Sequence, residues 1–198
     1  MSEAKREGAE ALLEILERLA GVHAWVIGDL MLDEYVSGAV DRISPEAPVP
    51  VVRVRETEFR LGGAANVARQ VAALGARVSL AGAVGGDATG ERLIELCASA
   101  GIDTRAVAKL SDRTTTRKLR VLGHSQQLLR LDWEDTGPCP PAIIDRAIGQ
   151  LATGPSTDAI ILSDYAKGVL TPQSIGAVLA ARGTAPVIVD PKHRDFSR

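Results

Sequence analysis

Acidic and basic side chains fall where three short apolar runs end. Asp29 and Asp33 follow residues 24–28, Asp164 and Lys167 follow residues 158–163, and Asp190 and Lys192 follow residues 186–189. If each run is a parallel strand, its carboxyl end delivers these groups to the edge where open α/β sheets bind ligands. One such residue would carry little weight, but several from separate strands make a site. Asp29 and Asp33 also suit turn capping, as any loop aspartate does. A fourth stretch, Leu61-Gly62-Gly63-Ala64-Ala65-Asn66-Val67-Ala68, sets two glycines at the mouth of a helix. Glycine lets the backbone approach a ligand closely, and free N–H groups at a helix start favour anionic or hydroxylated partners. Asn66, one turn in, offers a donor and an acceptor, which suits a sugar hydroxyl. The same glycine pair also fits a plain tight turn into a packed helix.

The elements that must position these groups follow from periodicity. Glu3–Leu19 reads as a helix with the apolar stripe Ala11, Leu12, Ile15, Leu16 and Leu19, ended by Gly21. Ala64, Val67, Ala68, Val71, Ala72 and Leu74 recur at helical spacing, and Gly75 closes that helix. Residues 77–82 and 104–110 read as strands, and residues 88–100 and 142–151 as helices. Thr171 and Pro172 are an N-cap and a first helical position, opening a helix over 173–181. Two segments break the alternation. Residues 34–40 and 49–59 are β-rich around a proline-broken loop, and residues 114–121 and 127–132 form a hairpin around Gly123-His124-Ser125. They predict a small protruding β lid, about 34–59 and 114–132, which closes on a ligand and pairs with a second subunit. The remaining strand–helix rhythm predicts an α/β fold with a mostly parallel sheet flanked by helices.

Composition excludes several classes. The chain has 198 residues, enough for one good-sized domain, with 23 basic and 25 acidic residues and a net charge of −2. That balance speaks against a nucleic-acid or membrane partner, and 3% aromatics gives little material for base stacking. Cys97 and Cys139 lie far apart without a CxxC spacing, so each reads as a structural thiol. His23, His124 and His193 show no metal spacing. There is no GxxxxGK[ST], no strand-linked GxGxxG and no GxSxG. No apolar run has transmembrane length, and the first 19 residues are too charged for a signal peptide, which leaves the cytoplasm as the expected location.

The segment Gly62-Gly63-Ala64-Ala65-Asn66-Val67-Ala68, followed by Gly75 and Gly85, resembles the first signature of the ribokinase, or PfkB, carbohydrate kinase family. Four more stretches are similar to the heptose 7-phosphate kinases of that family. They are Gly28-Asp29-Leu30-Met31-Leu32-Asp33, the proline-rich run from Arg42 to Val51, Leu162-Ser163-Asp164-Tyr165-Ala166-Lys167-Gly168, and Asp190-Pro191-Lys192. The likeness runs through essentially the whole chain after the first helix. It implies a ribokinase-like fold and ATP-dependent phosphorylation of the anomeric hydroxyl of heptose 7-phosphate, in lipopolysaccharide-core precursor synthesis. Carried over by motif, Asp33, Gly62, Gly63 and Asn66 would hold sugar hydroxyls, and Arg117 and Lys118 would meet the substrate's 7-phosphate. Asp164 and Lys167 would sit near the transferring phosphoryl group, with Asp190 and Lys192 towards ATP and its Mg²⁺. A solvated strand face, or salt bridges between neighbours, accounts for the same charges without a ligand.

The family's second signature is a Gly-Ala-Gly-Asp turn, whose aspartate is the catalytic base. Nothing of that form occurs here, so no catalytic residue is assigned and the base is expected beyond Arg198. The chain therefore reads as a partial ribokinase-like domain over 1–198, lacking the C-terminal part of the fold and inactive alone. Two alternatives stay open: a non-catalytic sugar-phosphate-binding or dimerisation module, and a kinase for another sugar. A sheet cut short in this way is expected to expose an apolar edge.

Overall fold

Valine, isoleucine, leucine and alanine runs form the centre of the computed structural model, which describes residues 3–124 and 126–192. In chain order its first half comprises α1 (Glu3–Leu19), β1 (His23–Gly28), β2 (Leu30–Ile43), β3 (Pro50–Gly62), α2 (Gly63–Ala73), β4 (Arg77–Gly85) and α3 (Ala88–Ser99). Then come β5 (Asp103–Leu110), β6 (Thr116–Gly123), β7 (Gln126–Trp133), α4 (Ala142–Thr153), β8 (Ala159–Ser163), α5 (Pro172–Ala181) and β9 (Val187–Asp190).

Five strands pair in the order β5-β4-β1-β8-β9, all parallel. The middle strand β1 is buried from end to end, as a parallel strand covered on both faces must be. On one face, Ala64, Ala65 and Ala68 of α2 and Leu93 and Cys97 of α3 pack over Val26, Val78 and Leu80. On the other, Ile143, Ile144 and Ala147 of α4 and Val178 of α5 cover Trp25, Ile27, Ile160 and Leu162. Small alanines on α2 let that helix lie close to the sheet. Burial pushes the Cys97 thiol up to about 12, in keeping with a structural role.

A second sheet has the order β3-β2-β6-β7, with β2 and β6 parallel and the outer pairs antiparallel. This sheet contains the segments expected to form a lid, a name kept for it below, and it starts earlier than composition suggests. Leu30, Met31 and Leu32 are buried and already belong to β2, so only Asp29 separates the last residue of the main sheet from the first of the lid. Asp33 is consequently a lid-strand residue rather than a loop residue. It pairs with Arg60 on β3 and Lys118 on β6. The helix and strand boundaries elsewhere fall within a few residues of those expected, and Thr171 caps α5 in a reciprocal capping box with Ser174.

Several apolar side chains of the described residues stay uncovered. Leu12, Ile15 and Leu16 of α1 are exposed, and so are Ile188 and Val189 on the edge strand β9. Among the described residues no helix is long and apolar enough to cross a membrane.

The lid is pinned to the main sheet at its second crossing by Asp87 and Thr115. Asp87 caps α3 by accepting from Gly90 N–H at 2.8 Å. It also accepts from Thr115 N–H at 2.9 Å and from the Thr115 hydroxyl at 2.7 Å. Thr115 Oγ1 in turn accepts from Gly85 N–H at 2.8 Å. Burial works to raise the Asp87 carboxyl, but donors on Thr115, Gly90 and Thr89 outweigh it and hold the group below the usual carboxylate range. The Asp87 contribution is therefore fully present above the unfolded carboxylate pKa and is lost as pH falls through the native value. Asp87→Ala is expected to cost about 2 kcal/mol at neutral pH, from the lost cap and the orphaned donors. Urea unfolding of both proteins should show this gap narrowing towards about pH 3; a gap that is constant or widens would contradict the assignment.

Candidate functional site

Asp29 is 1% exposed, and every hydrogen-bonding group it owns is occupied. Its N–H donates to the Ser163 carbonyl at 3.2 Å, and its carbonyl accepts from Ala64 N–H, in the first turn of α2, at 3.0 Å. Its carboxylate accepts from the N–H groups of Tyr165 at 2.8 Å, Lys167 at 3.0 Å and Val169 at 3.1 Å. It thus caps a loop more than 130 residues away, the one that carries Asp164 and Lys167. One residue at the end of the central strand joins the glycine mouth, the lid and the 164–169 loop.

The glycine pair is required by this geometry. Gly63 has φ +53°, and a Cβ there would collide with the Asp29 carbonyl oxygen. A Cβ on Gly62 would stand 2.5 Å from Asp33 Oδ2. The missing side chains let one aspartate's backbone and the other's carboxylate lie directly against the start of α2. Asp33, Asn66, Tyr35, Glu58, Arg60 and Arg69 then line an open cleft of about 590 Å³ between the lid and α2. Asn66 Oδ1 accepts from Arg69 at 3.0 Å, and that bond orients the amide. Asp33 accepts from Arg120 Nη1 at 2.6 Å, a bond that raises the guanidinium above its ordinary value.

The 164–169 loop is held from its other side by Arg113, which the sequence reading did not single out. Its side chain is 10% exposed and donates to the carbonyls of Asp135 at 2.7 Å, Gly137 at 3.1 Å and Lys167. Amides on one side go to Asp29 and a carbonyl on the other to Arg113, so the backbone at Lys167 is clamped. Asp164 accepts from Ala166 N–H at 2.8 Å in an Asx turn that carries Ala166 at φ +55°. Gly168, at φ +92°, packs against the Gly137 carbonyl where no Cβ would fit. Lys167 Nζ extends to Glu134 Oε2 at 2.8 Å. That bond, with Lys118 nearby, holds the Glu134 carboxyl below its ordinary range.

Asp190 and Lys192 adjoin this loop. Asp164 N–H donates to the Asp190 carbonyl at 2.9 Å, and Lys192 Nζ lies 6.0 Å from the Tyr165 ring centroid. Both side chains are exposed. Among the described residues no three His, Cys, Asp or Glu groups converge as a metal cage. Asp164 and Asp190 stand at adjoining strand ends, where Ser163 of β8 pairs with Asp190 of β9.

Arg117 and Lys118, the residues expected at the substrate's 7-phosphate, lie on opposite faces of β6. Adjacent residues on a strand face opposite sides. Arg117 lies with its guanidinium 4.0 Å from the Trp133 ring centroid and its Nε 3.3 Å from Glu34, without hydrogen-bond alignment. Lys118 is on the Asp33 side, 3.0 Å from Asp132 and 3.5 Å from Glu134. His193 and Ser125 lie outside the described residues.

A family model described as pfkB family carbohydrate kinase matches residues 23–139. The chain is 51% identical over 185 residues to the D-beta-D-heptose 7-phosphate kinase of Bordetella bronchiseptica, covering 92% of this chain and 58% of that protein. It is 48% identical over 192 residues to the Bifunctional protein HldE of Caulobacter vibrioides, covering 96% of this chain and 39% of that one. The chain thus spans about half the length of these relatives. Among solved structures, phosphofructokinase-2 from Escherichia coli in complex with fructose-6-phosphate shares the fold. Its TM-score is 0.63 at 22% identity, over 87% of this chain and 55% of that chain. Ribokinase from Cryptococcus neoformans in complex with ADP does so with a TM-score of 0.57 at 22% identity, over 86% of this chain and 50% of the other.

Removing the Asp29 carboxylate strands three buried amides at once. Asp29→Ala is expected to cost more than about 3 kcal/mol, at roughly 1–3 kcal/mol for each orphaned donor. Asp29→Asn, which keeps one acceptor oxygen, should fall between the two. Denaturant unfolding orders the three proteins, and an alanine variant as stable as the parent would refute the clamp.

Proposed function

Because this chain belongs to the pfkB family of carbohydrate kinases, we propose that it is the sugar-binding and lid portion of a kinase that phosphorylates heptose 7-phosphate. The observation that carries this reading is the cleft in which Asp33 and Asn66 meet over the Gly62–Gly63 turn. Carboxylate and amide groups fixed against a helix mouth provide acceptors and donors for sugar hydroxyls. Identity of 51% and 48% to relatives named as heptose 7-phosphate kinase and HldE favours this sugar over others, and favours a role in making heptose precursors of lipopolysaccharide.

In the mechanism, Asp33, Gly62, Gly63 and Asn66 hold the sugar. The clamped loop presents Asp164 and Lys167 to the transferring group, where a fixed ammonium offsets the charge that develops on phosphoryl oxygens. Asp190 and Lys192 lie towards the nucleotide. Mg²⁺ and ATP, when bound, supply charge neutralisation and the phosphoryl group. Lid closure excludes water, and the Lys167–Glu134 ion pair joins the lid to the loop as it closes. No residue within 1–198 is assigned the proton acceptor for the sugar hydroxyl.

The lid also supports a homodimer. Leu129, Leu131 and Trp133 of β7 are 51%, 40% and 39% exposed, and Leu131 and Trp133 share the face that carries Arg117. An exposed apolar strip on an edge strand suits a second copy. Likeness to bacterial kinases favours a cytoplasmic location, and among the described residues no helix is long and apolar enough to cross a membrane.

The full-length encoded protein should convert heptose 7-phosphate and ATP to heptose 1,7-bisphosphate, seen by phosphorus NMR as a new anomeric phosphate. Residues 1–198 alone should bind the sugar phosphate without turnover. Asn66→Ala should raise the full-length protein's KM for the sugar by about tenfold, the loss of one or two hydrogen bonds. Phosphorylation elsewhere on the sugar, or none, would overturn the reading. Leu131→Asp should shift the sedimentation of the full-length protein from dimer to monomer.

A further inference from the structure

The Asn66 amide carries two unlike atoms on one planar group, and which of them faces the sugar cleft decides what it can recognise. Asn66 is the only asparagine in the 198 residues, and it stands one turn into α2, where asparagine is a poorer helix former than the alanines around it. Arg69 follows three residues later, on the same side of the helix. Both line the cleft with Asp33. Arg69 Nη2 donates to Asn66 Oδ1 at 3.0 Å. A guanidinium donates and never accepts, so the amide atom that faces it is the oxygen. Asn66 Nδ2 is therefore left on the other branch of a half-buried side chain that lines the cleft.

The carboxylates of the cleft have partners of their own. Glu58 accepts from Arg60 through two bonds of 2.7 Å, and Asp33 Oδ1 accepts from Arg120 at 2.6 Å. Asp33 Oδ2 stays over Gly62, where a Cβ would stand 2.5 Å from it. The cleft thus has a fixed hydrogen-bonding sense at two points: Asp33 accepts and Asn66 donates. A hydroxyl does both, so neighbouring hydroxyls of a sugar satisfy the pair. A group that only donates, such as an ammonium, is turned away at Asn66, and one that only accepts is turned away at Asp33.

We infer that Arg69 is a positioning residue that locks the Asn66 amide with its NH₂ group towards the sugar, so that Asn66 recognises a sugar oxygen as a hydrogen-bond acceptor. This deepens the proposed function and rests on it. Arg69 makes no bond to the sugar and acts through Asn66 alone.

The test uses the full-length encoded protein with ATP and heptose 7-phosphate. Arg69 is exposed, and methionine is as good a helix former as arginine, so Arg69→Met keeps the fold. It should raise KM for the sugar about 2- to 10-fold, the cost of ordering a freed side chain on binding. The kcat and the KM for ATP should stay within about twofold of the parent. Arg69→Met combined with Asn66→Ala should be no worse than Asn66→Ala alone, because the arginine acts through the amide. A further rise in the double variant means that Arg69 touches the substrate itself, and overturns the positioning role. Asn66→Asp offers acceptors only and should bind the sugar no better than Asn66→Ala; a parent-like KM would overturn the donor assignment. NMR of protein carrying isotope-labelled asparagine gives a measure independent of turnover, with the Asn66 signals assigned by their loss in Asn66→Ala. Without any sugar, the Asn66 side-chain carbonyl carbon should move upfield in Arg69→Met, since it loses an accepted hydrogen bond. If the parent phosphorylates heptose 7-phosphate but Arg69→Met changes neither this carbon nor KM, the positioning is wrong and the function stands. If the parent shows no such activity but the carbon moves, the function is wrong and the amide's orientation stands.

Discussion

The Asp29 carboxylate, buried at the carboxyl end of the central strand, is the constraint on which the site depends. A buried charge survives only where hydrogen bonds replace its water, and here three backbone amides of one loop do so. Those amides would otherwise be buried donors without partners, so loop and carboxylate stabilise each other. The backbone of the same residue receives Ala64 N–H at the mouth of α2 and donates to Ser163. The chain leaves the main sheet and enters the lid across this single residue. Asp33, the glycine pair and Lys167 therefore have their relative positions set through one atom group rather than through three independent loops.

Arg113 completes that frame from the opposite side. It is the counterpart of Asp29 in both charge and hydrogen-bonding sense: a nearly buried cation that accepts nothing and donates to three carbonyls. Two of these belong to the segment leading out of the lid and one to Lys167. The path back from lid to body is thus tied to the loop that Asp29 holds. Asp87 and Thr115 do the same where the chain enters β6. Each crossing between the sheets is stiffened by a side chain with most of its hydrogen-bonding capacity used.

Much of this was legible in the sequence, for physical reasons that also explain what was not. Apolar runs with glycine and proline punctuation predicted the parallel sheet, because burial on both faces demands that pattern. Thr171 and Pro172 predicted their helix start, since the cap is local. The importance of Gly62 and Gly63 was visible as well, but not its cause. They were read as room for a ligand, and the structure shows that they make room for Asp29 and Asp33. Asp29 itself was read only as a turn-capping or ligand-edge residue, because its three partners lie more than 130 positions away. Arg113 gave no signal for the same reason. That Arg117 and Lys118 face opposite sides of β6 follows from strand periodicity: adjacency in sequence is separation on a strand, and the neighbours of Lys118 lie two residues away or across the sheet.

The lid's charges run as a connected chain from Arg130 through Asp132, Lys118 and Glu134 to Lys167. Exposed ion pairs of this kind contribute little individually, commonly about 0–1 kcal/mol. Each carboxylate in the chain serves two cations, Asp132 between Arg130 and Lys118 and Glu134 between Lys118 and Lys167, so loss of one pair leaves the carboxylate still partnered. The chain thereby links the outer strand β7 to the very loop that Asp29 and Arg113 hold, and the two sheets meet there through side chains as well as through backbone.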